Sequence, residues 1–144
     1  MMNTLDIKPG IGLSNLNFGI TMGDTELIIG KPDEIELLDE IEGFGSTIWH
    51  YWKDQFALFF NDQNKLKLNA AEINNVNATL WENSIFKLNK NEIIYLFKNK
   101  GIVNYEWEEE EWGEQRLTFD EVNIDFYFEK NKLAAINLSE SIYA

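Results

Sequence analysis

The chain contains no cysteine, a single histidine and a single arginine, Arg116. The first absence removes disulfides, thiolate metal sites and cysteine nucleophiles together. His50 has no local motif to supply an orienting carboxylate and a nucleophile, so no catalytic residue is assigned and an enzyme is not expected. No His/Asp/Glu cluster has metal-ligand spacing, and Gly10-Ile11-Gly12 lacks the continuation of a phosphate-cradling loop, so neither metal nor cofactor is expected. No apolar run approaches the roughly 18–20 residues of a membrane span, and the first six residues show no basic segment leading into an apolar one. A soluble, cytoplasmic protein is the expectation, in which the Asn77-Ala78-Thr79 glycosylation match carries no meaning.

What is present is apolar and acidic. Hydrophobic residues make up 44% and aromatics 14% of 144 residues, enough for a packed interior rather than a disordered segment. The formal charge of −13 repels phosphate backbones and anionic lipid, so nucleic-acid and membrane-surface binding are not expected. The same field would steer a basic protein partner, by an amount that falls with added salt.

Two stretches share an order of signals. In the first, Thr21 caps a helix, Asp24 lies at its third position, and Gly30 with Pro32 stops it, with Met22, Leu27, Ile28 and Ile29 as the expected buried stripe. In the second, Asn89 caps, Glu92 completes a capping box, Ile93, Ile94, Leu96 and Phe97 are apolar, and Gly101 is the stop. The caps lie 68 positions apart, as do Phe60 and Phe128, and the offset from Leu66 to Leu133 is 67. Alternation marks strands: Val122, Ile124, Phe126 and Phe128 share one face and Asn123, Asp125 and Tyr127 the other, while Phe56, Leu58 and Phe60 match them in the first stretch. Thr47 to Lys53 is aromatic enough for a strand packed on both faces. Asp62-Gln63-Asn64 and Glu129-Lys130-Asn131 suit hairpin turns. The expected fold class is therefore α+β. One domain over 1–144 would comprise two tandem helix-plus-antiparallel-strand repeats, of about three strands each, at about 7–72 and 85–140, with a polar connection near 73–84.

Ile7-Lys8-Pro9-Gly10-Ile11-Gly12, then Leu16-Asn17-Phe18-Gly19-Ile20-Thr21, then Ile29-Gly30-Lys31-Pro32-Asp33-Glu34 resembles a recurrent bacterial pattern. It is similar to the helix-then-sheet units of the β-lactamase-inhibitory-protein-like and small outer-membrane lipoprotein group. The resemblance implies a binding protein acting through an aromatic-lined sheet face. Small acidic bacterial proteins of such a build include toxin-immunity proteins, an analogy of fold rather than of site.

Two aromatic constellations are candidates for that face. Tyr105, Trp107, Glu108, Glu109, Glu110, Glu111 and Trp112 alternate ring anchors with carboxylates, which suits contact with a basic partner; the other reading is a hairpin with core tryptophans and solvated glutamates. The run lacks the Asp/Asn-and-Gly spacing of a calcium loop. Trp49, Tyr51 and Trp52 form the second, either a doubly packed strand or a platform for an apolar or sugar ligand. Asp33 to Glu42 reads as an amphipathic link to the first strand, or as a second acidic contact strip. The functional expectation is a protein-binding inhibitor, an immunity protein covering the active site of a cognate basic toxin, with a nuclease as one such target. The alternative is a small-ligand or structural binding module using the aromatic strand.

Overall fold

The computed structural model describes residues 5–39, 45–61 and 66–140. Among these residues there are two short α-helices, α1 (Met22–Ile29) and α2 (Lys90–Lys98). The strands in chain order are β1 (Asp6–Lys8), β2 (Gly12–Leu13), β3 (Leu16–Asn17), β4 (Glu34–Asp39), β5 (Gly45–Tyr51), β6 (Phe56–Asn61) and β7 (Lys67–Ile73). They continue with β8 (Thr79–Leu80), β9 (Asn83–Ser84), β10 (Glu106–Glu109), β11 (Glu114–Phe119), β12 (Ile124–Glu129) and β13 (Lys132–Ser139). Strand outweighs helix throughout, so the expected α+β class of two helix-plus-strand repeats is corrected to a sheet-dominated fold. The reason is visible in α1: eight residues make about two turns, too little to form a layer, and the sheet does the burying.

Both expected caps form. The Asp24 amide donates to Thr21 Oγ1 at 3.1 Å, and Asn89 and Glu92 close a reciprocal capping box at 2.9 and 3.0 Å. In α2 the i, i+4 pair Ile93 and Phe97 is buried completely, with Ile94 and Leu96 packed at its margin. The buried stripe expected on α1 is not what forms. Thr25 is its one fully buried residue and Met22 and Ile29 are partly covered, whereas Leu27 is 85% exposed and Ile28 is exposed as well. Leu27 lies two residues from Thr25, about 200° around a helix of 3.6 residues per turn, and so faces away.

Eight strands form one antiparallel sheet in the order β10-β11-β12-β13-β7-β6-β5-β4. β4 and β10 are strands beyond the three expected after each helix; the segment from Asp33 onward is an edge strand rather than a link. The register also corrects the spacing argument, because Leu133 stands opposite Phe128 while Leu68, not Leu66, stands opposite Phe60. Leu66 occupies the turn at φ 58°. Lys130 and Asn131 form the expected hairpin turn, both at positive φ as a two-residue turn demands; Asp62-Gln63-Asn64 lies outside the described residues.

One face of this sheet is the core. Across it run Trp49, Leu58, Ala71, Leu138, Ile124 and Phe119, register partners in successive strands and all buried. α2 covers one half: Phe97 stacks on Phe119 at 4.0 Å and meets Phe126 edge-on at 5.7 Å. A second sheet of short strands, β3-β2-β1-β8-β9, brings Leu5, Ile7, Leu13, Leu16 and Leu80 into the same cluster. The connection near 73–84 therefore holds core residues: Ala78 and Leu80 are buried in full. Trp81 and Glu82 turn between β8 and β9 at positive φ, and the Trp81 ring packs against Phe97 at 4.8 Å.

Gly12 is the least replaceable turn residue. Its φ is +155°, and a Cβ placed there would lie 2.1 Å from the Leu16 carbonyl oxygen across the β2–β3 pair. Gly12→Ala should lower stability by more than about 1 kcal/mol, read as an earlier urea midpoint; an unchanged midpoint would contradict this account of the β2–β3 hairpin.

Candidate functional site

Residues paired across antiparallel strands point to the same side, and neighbours along a strand to opposite sides. That rule splits the glutamate-tryptophan run. Glu106 and Glu108 on β10 pair with Thr118 and Arg116, away from the core, while Trp107 pairs with the buried Leu117 and Glu109 with Gln115. Trp107 is half-buried, edge-on to Phe128 at 5.7 Å, with Lys90 Nζ 4.1 Å from its ring centre and its indole N–H donated to Glu109 at 3.0 Å. Tyr105 lies just before β10, partly exposed and 6.2 Å from Phe119. Glu110, Glu111 and Trp112 belong to the turn into β11; Trp112 is 74% exposed and its indole donates to Glu114 at 3.3 Å. These eight residues are neighbours in sequence but serve three surfaces.

The aromatic strand divides in the same way. Trp49 and Tyr51 are core residues, against Phe60 and Phe56 respectively. The Tyr51 hydroxyl donates to the Gly30 carbonyl at 2.9 Å and ties the end of α1 to β5. Burial first, then the charges of Glu26 and Asp33, hold that hydroxyl well above the usual tyrosine range. Trp52 alone is exposed, stacked on His50 at 4.3 Å and donating to Glu34, and His50 Nε2 lies 2.9 Å from Glu36. Trp49, Tyr51 and Trp52 thus form no common platform.

The face opposite the core is a different surface. Along its middle run small and polar side chains: Ala70 and Glu72 on β7, Ala135, Asn137 and Ser139 on β13, Asp125 and Tyr127 on β12, and Arg116 and Thr118 on β11. Three shallow hollows of about 240, 250 and 310 Å³ lie along it, the first two sharing Asp125 and Ser139 and the last two sharing Asn137. Glu72 and Asp125 are the register neighbours of Asn137 on either side. The Asn137 carboxamide oxygen is buried with no hydrogen-bond partner among the described residues, as is that of Asn69 nearby on β7. A buried acceptor between two carboxylates favours a cationic donor.

Charge on this face is predominantly negative. Glu72, Glu106, Glu108, Glu114, Asp125 and Glu129 lie on it or at its margin; of the cations there, Lys132 stands opposite Glu129 and Arg116 is committed to Glu108 at 2.8 Å. The hydrogen bonds of Arg116 to Glu108, then to Tyr127, raise its pKa further above the ordinary arginine value. Asp125 accepts the Thr118 hydroxyl at 2.5 Å, which fixes its carboxylate beside the hollow.

No protein-family model, curated protein or solved structure matches this chain. The site rests on its own geometry. Among the described residues no cluster of three or more potential metal ligands forms, and no helix is long and apolar enough to cross a membrane. The alternation of Asp125 and Tyr127 opposite Phe126 is the sequence signal for this face. The pairing of β13 with β7, which joins that stripe to Asn137 and Glu72, has no local signal.

Exposure separates the two tryptophans in a measurable way. Trp112→Ala should change stability by less than about 0.5 kcal/mol, and Trp107→Ala should cost more than about 1 kcal/mol through lost contact with Phe128 and Lys90. Equal unfolding midpoints for the two variants would contradict these placements.

Proposed function

We propose that the chain is a protein-binding inhibitor of the immunity type, whose acidic open sheet face covers a basic surface of a protein toxin. The observation that carries this reading is the buried Asn137 oxygen, without a hydrogen-bond partner among the described residues, in a hollow between Glu72 and Asp125. That arrangement would seat a lysine or arginine of the partner, and the surrounding carboxylates would steer it in. The partner-contact residues in this reading shift from the whole run at 105–112 to Glu106 and Glu108 with the β7, β12 and β13 residues of the open face. Trp112, at the end of the same hairpin, adds an exposed ring at the rim. Inhibition would be occlusion, with no chemistry assigned to the chain.

The test is capture from native lysate with the tagged protein as bait, followed by association kinetics on whatever is retained. A basic protein should be held at low salt and released at high salt, with an association rate falling several-fold between about 0.05 and 0.5 M salt. Glu72→Lys should weaken capture about tenfold or more. Capture indifferent to both salt and Glu72→Lys would overturn the assignment of this face.

A further inference from the structure

The two edges of the eight-stranded sheet are unlike. β10 is four residues long, three of them glutamate, and its one apolar side chain is folded back on Phe128. Charge and brevity of this kind are what keep an edge from pairing with other chains. β4 is six residues long, holds an unbroken register from Glu34↔His50 to Asp39↔Gly45, and has neither lysine nor proline nor bulge. Ile35 is 57% and Leu37 72% exposed, and Leu38 is exposed on the other face. Among the described residues no strand pairs with its outer side, so alternate backbone N–H and C=O groups of a regular strand are presented to solvent.

The side chains of β4 select what pairs there. Glu34 and Glu36 alternate with Ile35 and Leu37, so over residues 34–37 one face of the edge is acidic and the other apolar, with Leu38 following Glu36 on the acidic side. Glu34 and Glu36 each use an oxygen to accept from Trp52 or meet His50, which holds the carboxylates along the strand. A second copy of the chain would bring Glu34 and Glu36 close to the same carboxylates of its partner, on molecules of net charge −13 each. The carboxylates guard the edge against self-pairing and leave it open to a strand of opposite charge.

We propose that β4 takes a further antiparallel strand from a protein partner: an extended segment whose lysines or arginines face Glu34 and Glu36 and whose intervening apolar residues lie beside Ile35 and Leu37. Backbone hydrogen bonds would supply the pairing and the two alternating faces the selectivity. This edge is a surface separate from the open-face hollows, so it can be tested without a basic toxin and stands or falls independently of the inhibitor reading.

The probe is a capped seven-residue peptide alternating lysine and valine, titrated into the full chain while amide exchange is followed residue by residue. Amides of residues 34–39 should gain protection. Two control peptides of identical charge carry N-methyl groups, one on every valine and the other on every internal lysine. Only one edge of the added strand faces β4, so one control should bind about tenfold or more weakly and the other like the parent. The double variant Ile35→Lys/Leu37→Lys, changed at exposed positions and checked for native circular dichroism, should lose about tenfold in peptide affinity as well. Equal binding of both methylated peptides would mean charge attraction alone and overturn the proposal. So would protection confined to the open face, wild-type affinity in the double variant, or dimerisation of the free chain through β4.

Discussion

Everything else in this structure depends on the pairing of β13 with β7. Four register pairs, from Ile136↔Ile73 to Ser139↔Ala70, join two four-stranded meanders into one sheet. Separately, each meander would end in an unpaired edge strand, β7 in one and β13 in the other. Joined, they give a row of buried side chains from Trp49 on β5 to Phe119 on β11. Each seam strand carries a bulge on its outer ladder, β7 at Asn69 against β6 and β13 at Ala134 against β12, where the pairing skips a residue. Bulges sharpen local twist, and the hollows of the open face lie beside these two positions.

The same seam sets the chemistry of the open face. It brings Glu72 from β7 within one strand of Asn137 and two of Asp125, although Glu72 and Asn137 are 65 positions apart in the chain (137 − 72). Small residues, Ala70, Ala135 and Ser139, leave the floor low between them. A large apolar residue at any of these places would fill the hollow, and a lysine would neutralise it. The result is a shallow acidic trough backed by a dry core.

The N-terminal segment and the helices have supporting roles that differ in degree. α2 covers its half of the core with Ile93 and Phe97, while α1 adds one buried threonine and is held by Thr21 at one end and by the Tyr51–Gly30 hydrogen bond at the other. The lighter cover on that side leaves Ile35 and Leu37 of β4 exposed, although their register partners Trp49 and Thr47 are buried. Uneven helix cover on a continuous sheet thus leaves apolar side chains exposed at the β4 end, while Trp107 at the β10 end is half-buried.

Local chemistry was legible from the residues alone. Capping by Thr21, Asn89 and Glu92, the buried faces of Phe56-Leu58-Phe60 and Ile124-Phe126-Phe128, and the Lys130-Asn131 turn follow from hydrogen-bond needs and strand period over a few positions. The overall weight of sheet and the core role of Ala78 and Leu80 did not follow, because they depend on partners far away in the chain; β4 reads as a link in the sequence although its partner β5 is local, and the β10–β11 hairpin is one of the two readings of the acidic run. Amphipathic spacing in α1 favoured a buried Leu27, but spacing fixes only which residues share a side, not which side another element covers. Likewise the acid-rich run at 105–112 announced its charge, while strand alternation and the β10–β11 pairing decided that Glu108 joins the open face and Trp107 the core side. Composition and periodicity act within one segment and so are written in the sequence; the union of β7 with β13, which creates both the core and the acidic face, exists only once the chain has closed on itself.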